Sequence, residues 1–516
     1  MRAVKLFALL LAAPVLGSLP GCTDLTESPS SSITPENFYK NEDEIRGGLA
    51  SVYAQLRNIF PGGGQGDPGY WSLSEVSSGE MIVPTRGSDW FDSGKWIEMH
   101  TQSWTASSPA GTTYINDTWV QTFRGVARAN VLLGALENVT VADEAVIAAE
   151  LRTLRALYYY KLMDMFGGLP IVTTTEIVPR PRSTRKEVFE FIEKELNEAR
   201  AVLPATWPPE QNGRMTKGAA DAILANMYLN AQVFTGTVTA AGLQPGPVRW
   251  QDAITAANRI LNSGAYSLGS DWRSAFRPDN HLSRENILVA KFVADPNLGF
   301  HLVQTSLHYQ QFSSAPWNGF SIVAEAYNSF DPNDERREVI LVGPQNNIET
   351  GAPACVRPGC AQGAPRLVFT PIIRDISQAT ESEGARFLKW PADPNHVQEG
   401  HGNDFAYFRL GEIYLIKAEA QFELGDTGGA LQQLNVLRAR VFDPDKPLSS
   451  VNRDVILKER LFELLAEGKR RQDLIRHGKF TQPWQFKPQR EPYRILMPIP
   501  QQQLDANPLL VQNAGY

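Results

Sequence analysis

Cysteine is scarce: three residues in 516. Cys22 stands alone, and Cys355 and Cys360 bracket Val-Arg-Pro-Gly. In an exported chain that spacing reads as a small disulfide loop, which stabilises by about 2 kcal/mol at most. A metal pair is the weaker reading, because two thiols need further ligands and none is adjacent. Basic charge is not in excess either. Lys and Arg total 49 against 56 Asp and Glu, a net charge of −7, and no basic stripe is present, which argues against nucleic acid as a main partner. The chain has no Gly-x-Ser-x-Gly, no Walker A loop and no His-Glu-x-x-His, so the commonest hydrolase, nucleotide and metalloprotease signatures are absent.

What is present is an ordinary globular composition, 42% hydrophobic and 20% charged, behind an address segment. Arg2 and Lys5 precede an apolar run, Leu6 to Leu16, too short to remain as a membrane-spanning helix. It ends Leu19-Pro20-Gly21-Cys22, which resembles the lipobox of bacterial lipoproteins, with Pro20 departing from the usual small residue. Residues 1–21 are therefore expected to be a signal peptide and Cys22 the lipid-modified anchor. Residues 22–40, polar and rich in Ser and Pro, read as a flexible tether.

An N-terminal helical block is predicted over 41–264. Asn41 to Glu44 and Thr184 to Glu187 have capping-box chemistry. Ile45, Leu49, Val52 and Leu56 repeat at helical spacing, as do Val188, Ile192, Leu196, Ala199 and Leu203. Thr216 opens a helix for which Trp250 to Leu261 is the antiparallel partner. The pattern dissolves between 60 and 110, an aromatic loop holding Trp71, Trp90, Trp96 and Trp104. It is lost again over 265–404, a loop-rich region with short β-like runs at Asn286 to Val293 and Arg366 to Ile373. Structureless stretches this long are usually functional.

A C-terminal helical block and tail occupy 405–516, with a helix read from Phe405 onward. In VILKERLFELLAEGKRRQDLIRHGK, Leu457, Leu461, Leu464 and Leu465 form one apolar stripe. Lys458, Glu459, Glu463 and Glu467 fall on the other face, followed by Lys469, Arg470 and Arg471, an order that suits the helix dipole. Alanines at 222, 225, 231, 418, 420 and 430 allow close helix approach and give the pairs a resemblance to tetratricopeptide repeats.

Taken in order, FRGVARANVLL, LRALYYYKLMDMFGGLPIV, FRLGEIYLIKAEA, KERLFELLAEGKRRQDLIRHGK and the ending LMPIPQQQLDANPLLVQNAGY, together with the lipobox cysteine, resemble the SusD/RagB family of outer-membrane lipoproteins over nearly the whole chain. The resemblance implies a mainly α, tetratricopeptide-like scaffold whose loop-rich part forms the ligand face. It also implies a lipid-anchored position at the cell outer membrane, exposed at the surface. A TonB-dependent transporter of the SusC type is the implied partner, with an oligosaccharide or other nutrient as ligand. Ligand residues vary within that family, so none is carried over by motif.

Sugar rings stack on aromatic faces and their hydroxyls seek Asp, Asn, Gln or Arg at the edges. On that chemistry the candidate ligand contacts are Trp90, Phe91, Asp92 and Trp96, with Trp71, Trp272 and Trp317. Trp104 and Trp119 are assigned to the core. His396, Glu399 and His401 lie close in sequence but on a loop that fixes no metal geometry, and no cofactor is called for. Asp331, Asp334 and Glu335 could imitate a glycosidase pair, yet Arg336 and Arg337 beside them favour a structural ion-pair cluster. The expectation is non-enzymatic glycan capture and delivery to a transporter. The alternatives are a peptide- or protein-binding surface module and a glycan-cleaving enzyme.

Overall fold

The computed structural model describes residues 39–59 and 69–516. The expected leader, the lipidation site Cys22, all but the end of the tether and the first part of the aromatic loop lie outside the described residues.

The described residues are mainly helical. The longer helices are α1 (Glu42–Ile59), α2 (Asn116–Leu136), α3 (Glu144–Phe166), α4 (Arg185–Val202), α5 (Lys217–Leu229), α6 (Trp250–Leu261), α7 (Leu410–Glu423), α8 (Thr427–Arg438) and α9 (Arg453–Leu464). Their starts follow side-chain chemistry. Thr184 accepts from the Glu187 amide at 3.2 Å while the Glu187 carboxylate accepts from the Thr184 amide at 2.7 Å, a complete capping box. Thr216 accepts from the Ala219 amide at 3.1 Å to open α5, and Asn452 accepts from Val455 at 2.9 Å to open α9. Such caps are worth about 1 kcal/mol each.

From α1 to α8 each helix packs on the next, the succession that makes the scaffold tetratricopeptide-like. Small side chains permit it. Ala222 and Ala225 on α5, Ala253, Ala256 and Ala257 on α6, Ala418 and Ala420 on α7 and Ala430 on α8 are all buried. Gly125 on α2 is needed for the same reason, since a Cβ there would lie 2.6 Å from the Tyr158 ring of α3.

Two stretches depart from the expected elements. Residues 405–409 form a strand, β2 (Phe405–Arg409), antiparallel to β1 (Asn286–Ala290), with Phe405 opposite Ala290 and Arg409 opposite Asn286. The helix starts only at Leu410. Phe, Tyr and Phe favour strand geometry, and all five residues of β2 are buried, so no amphipathic period marks the change. The described part of the aromatic loop contains two short helices, Gly69–Val76 and Lys95–Thr101. All eight residues of the first are buried, which removes its polar face and hence its periodicity.

The charged face predicted for α9 is not a solvent face. Lys458 is exposed, but Glu459, Glu463, Glu467, Lys469 and Arg471 are all buried. The helix ends at Leu464, and Glu467 follows in a turn. Glu463 takes Arg336 at 3.1 Å, Arg409 at 2.7 Å and Arg440 at 2.6 Å. Arg409 also binds Glu285 at 2.8 Å and Glu467 at 2.7 Å, and Lys389 reaches Glu467 at 2.5 Å. Asp334 is held by Arg336 at 2.7 Å, and Asp331 pairs with Lys446. Those two carboxylates are therefore committed to ion pairs rather than arranged as a glycosidase pair. Arg471, expected to serve the helix dipole, instead crosses to Asp164 of α3 at 3.0 Å.

Burial alone would raise the Glu463 pKa, but Arg440, Arg409 and Arg336 outweigh it and hold the carboxyl well below the usual range. A depressed carboxylate pKa contributes stability that is complete above the ordinary value near 4.5 and is lost as pH falls through the folded value. Glu463→Ala, which removes a buried carboxylate shared by three guanidinium groups, is expected to cost about 3–5 kcal/mol in chemical denaturation at pH 7, with a smaller penalty as the pH is lowered below 4. Leu464 is 3% exposed, and Leu464→Ala should cost about 2–5 kcal/mol. A loss well under 1 kcal/mol would mean that its stripe is not packed.

Candidate ligand-binding face

The aromatic loop and the loop-rich region meet on one face, joined by two buried arginines. Arg86, 5% exposed, donates to Ser321 Oγ at 3.0 Å and to the Glu383 carbonyl at 2.6 Å. Arg386, fully buried, donates to Asn318 Oδ1 at 2.8 Å, to Ser321 Oγ at 2.9 Å and to the Glu381 carbonyl at 2.8 Å. Neither is salt-bridged to a carboxylate. Burial pushes the Arg86 guanidinium down to about 10, partly offset by Tyr309, Glu383 and Glu381. Burial, then the proximity of Arg86, lowers Arg386 further.

Above this fastening stands Trp90. Its indole N–H donates to the Trp317 carbonyl at 2.7 Å. Its ring meets Trp96 edge-on at 5.4 Å and Phe320 at 5.8 Å. Gly319 is required beneath it, because a Cβ there would lie 2.3 Å from Trp90 Cζ2. Phe91 is 59% exposed beside it, and Trp317 is half-buried, its indole N–H directed at Glu399 at 3.4 Å. Tyr309 donates to Asp89, and His308 lies 3.0 Å from Glu381. Non-glycine residues at positive φ gather here: Trp90, Asp92, Ser93, Ala315, Asn318 and Gln398 are six of the ten among the described residues. Left-handed backbone of this kind persists only where surrounding structure enforces it, and it concentrates at functional sites.

The predicted contacts divide on burial. Trp90, Phe91, Asp92 and Trp317 reach the face together. Trp71, Trp96 and Trp272 are at most 1% exposed and present no ring face to a ligand, which corrects their assignment. Trp71 donates to the Ala466 carbonyl at 2.9 Å and supports Phe320 at 5.1 Å. Trp96 donates to Asp92 Oδ2 at 2.8 Å, and Trp272 packs on Phe276 at 5.4 Å. Trp104 and Trp119 are core, as read.

His396 lies 3.2 Å from Glu349, and burial, then the neighbouring His396, lowers the pKa of His401 to about 4. Among the described residues no three or more His, Cys, Asp or Glu side chains come together as a metal site. Cys355 and Cys360 are joined by a disulfide. Tyr309, His308, Glu381 and the two arginines were not singled out in the sequence, since only the junction of distant loops gives them a role.

The structure is thus a mainly α, tetratricopeptide-like scaffold that presents an aromatic, carboxylate-edged face. Residues 374–494 match the SusD family, and residues 75–229 match the family described as "Starch-binding associating with outer membrane". The chain belongs to the SusD family. It is 25% identical to the starch-binding protein SusD of Bacteroides thetaiotaomicron, over 99% of this chain and 98% of that one. It is 24% identical to the SusD-like protein P25 of Formosa agariphila, over 95% and 96% respectively. Among solved structures, a SusD-like protein of Bacteroides fragilis superposes with a TM-score of 0.74 at 20% identity, covering 95% of this chain and all of that one. A laminarin-binding SusD-like protein gives 0.72 at 24% identity, covering 93% and 100%.

Gly319→Ala should force the Trp90 indole from its place at a cost of about 1–3 kcal/mol, seen as a changed near-ultraviolet circular dichroism spectrum. Unchanged spectrum and stability together would mean that the indole is not held against Gly319.

Proposed function

We propose that this protein captures a glycan at the outer membrane without cleaving it and passes it to a TonB-dependent transporter of the SusC type. The observation that carries this reading is the half-buried Trp90 ring, held over Gly319 beside Trp317 and the exposed Phe91, with carboxylates at its edges. Stacking on the rings and hydrogen bonding to Asp89, Asp92 and Glu399 meet the two requirements of sugar recognition. Relatives named for binding starch and laminarin support the ligand class. The proposed organisation is a helical block over 41–264, a ligand-face region over 265–404 and a C-terminal block over 405–516. Cys22 is the proposed lipid anchor, placing the scaffold at the cell surface.

Trp90→Ala is expected to weaken glycan binding at least tenfold in calorimetry, the loss of one stacking platform, while Trp207→Ala, outside the face, leaves it unchanged. Retention of full glycan affinity in Trp90→Ala would move the contact away from this ring, whereas no glycan binding by the unsubstituted protein would sink glycan capture and favour the peptide-binding alternative. New reducing ends on incubation of the purified protein with polysaccharides would favour the enzyme.

A further inference from the structure

Two hollows open on a part of the chain that supplies none of the ligand-face residues. One, of about 730 Å³, lies between α1, residues 211–214 and Val289 of β1. The other, of about 470 Å³, lies across the same turn, against Ala265, Tyr266 and residues 281–284. Both are of the size that holds ligands. Asn212, Gly213 and Arg214 line both and form their common wall. That wall is fixed in place. Arg214 is closed on Glu150, and the Tyr53 hydroxyl of α1 accepts from the Met215 amide at 2.7 Å. Gly213 leaves room for the Lys291 stem, which a Cβ there would meet at 2.9 Å.

The charge of the lining is one-sided. Arg46, Arg57, Arg214, Arg284 and Lys291 line the hollows, and no Asp or Glu does, in a chain whose net charge is −7. Three of these cations are matched by acids outside the lining: Arg46 by Glu42, Arg214 by Glu150 and Lys291 by Asp404. Glu150 and Asp404 are buried, so their charges lie beneath the surface that the cations present. Arg57 and Arg284 have no carboxylate partner among the described residues. Arg57 donates to the Lys291 carbonyl at 3.2 Å, and the exposed Arg284 to the Gly264 carbonyl at 2.7 Å. Arg128, behind the larger hollow, likewise spends its guanidinium on the Ser51 carbonyl and the Gln55 amide oxygen. Asp143, Glu210 and Asp279 are exposed nearby, but none of them lines either hollow.

The floor of the larger hollow is apolar, formed by Leu49, Ala54, Leu56 and Val289. Leu282 stands 70% exposed at the edge of the smaller one. Cations around an apolar floor match a polymer that carries carboxylates and apolar side chains together. An acidic polypeptide has both, whereas a polyuronate has only the first.

We infer that this double groove docks an acidic segment of a partner polypeptide, its carboxylates at Arg57 and Arg284 and its apolar side chains on the α1 floor. The site goes beyond glycan capture and does not depend on it.

The test is fluorescence anisotropy on the mature protein with a labelled synthetic peptide of Glu, Leu and Gly, beside the same peptide with Gln at every Glu position. The acidic peptide should bind, and the Gln peptide about tenfold more weakly or worse. The Arg57→Gln, Arg284→Gln double variant, which changes surface side chains, should weaken the acidic peptide about fivefold. Salt at about 0.5 M, where screening shortens to about 4 Å, should do the same to the unsubstituted protein. Failure of the acidic peptide to bind, or a double variant that binds it as well as its parent, overturns the proposal. An oligogalacturonide bound at the same two arginines as tightly as the peptide would assign the groove to an acidic glycan and overturn it too.

Discussion

The carboxylate of Glu463 is the point at which otherwise separate parts of the chain are tied. It is fully buried and receives guanidinium groups from Arg336 in the loop-rich region, Arg409 at the end of β2 and Arg440 just past α8. A lone ionised carboxylate in that position would be prohibitive, and so would any of the three cations alone. The groups are tolerable only together, which makes the cluster a condition of correct assembly more than a source of net stability. The helical scaffold and the loop-rich region are thereby obliged to fold in register.

A second link of the same kind joins the aromatic loop to the turn after α9. Glu80 accepts from the Ala466 amide at 2.6 Å, Glu75 accepts from the Gly468 amide, and Trp71 donates to the Ala466 carbonyl. Burial raises the pKa of both carboxyls, and each faces the other. From this turn the order runs outward, through Trp71 to Phe320 and from Phe320 to Trp90. The ring offered to solvent is thus the outermost member of an aromatic series rooted in the spine.

This layering accounts for what was legible in the sequence. The Thr184–Glu187 cap and the Thr216 cap were readable because both partners lie within one helical turn. The stripe of Leu457, Leu461 and Leu464 was readable from its period, and all three are buried. The burial of Glu459 and Glu463 was not, because their partner Arg336 lies 123 and 127 residues away and a charged run ordinarily signals a solvent face. The tryptophans show the same limit. Trp71, Trp90 and Trp96 occupy one irregular stretch with similar neighbours, and only the packing of residues 318–321 against it separates the half-exposed ring from the buried pair.

The Arg86–Arg386 fastening has a consequence for how such a surface changes over time. Most of its hydrogen bonds end on main-chain oxygens, those of Pro84, Gly319, Glu381, Glu383 and Gly384, which every amino acid possesses. The loops are therefore held by atoms indifferent to side-chain identity. Residues at the rim, such as Asp89, Glu381 and Glu399, can be exchanged without loosening the anchorage that positions them. The proposed recognition edge is in this sense separable from the fastening beneath it.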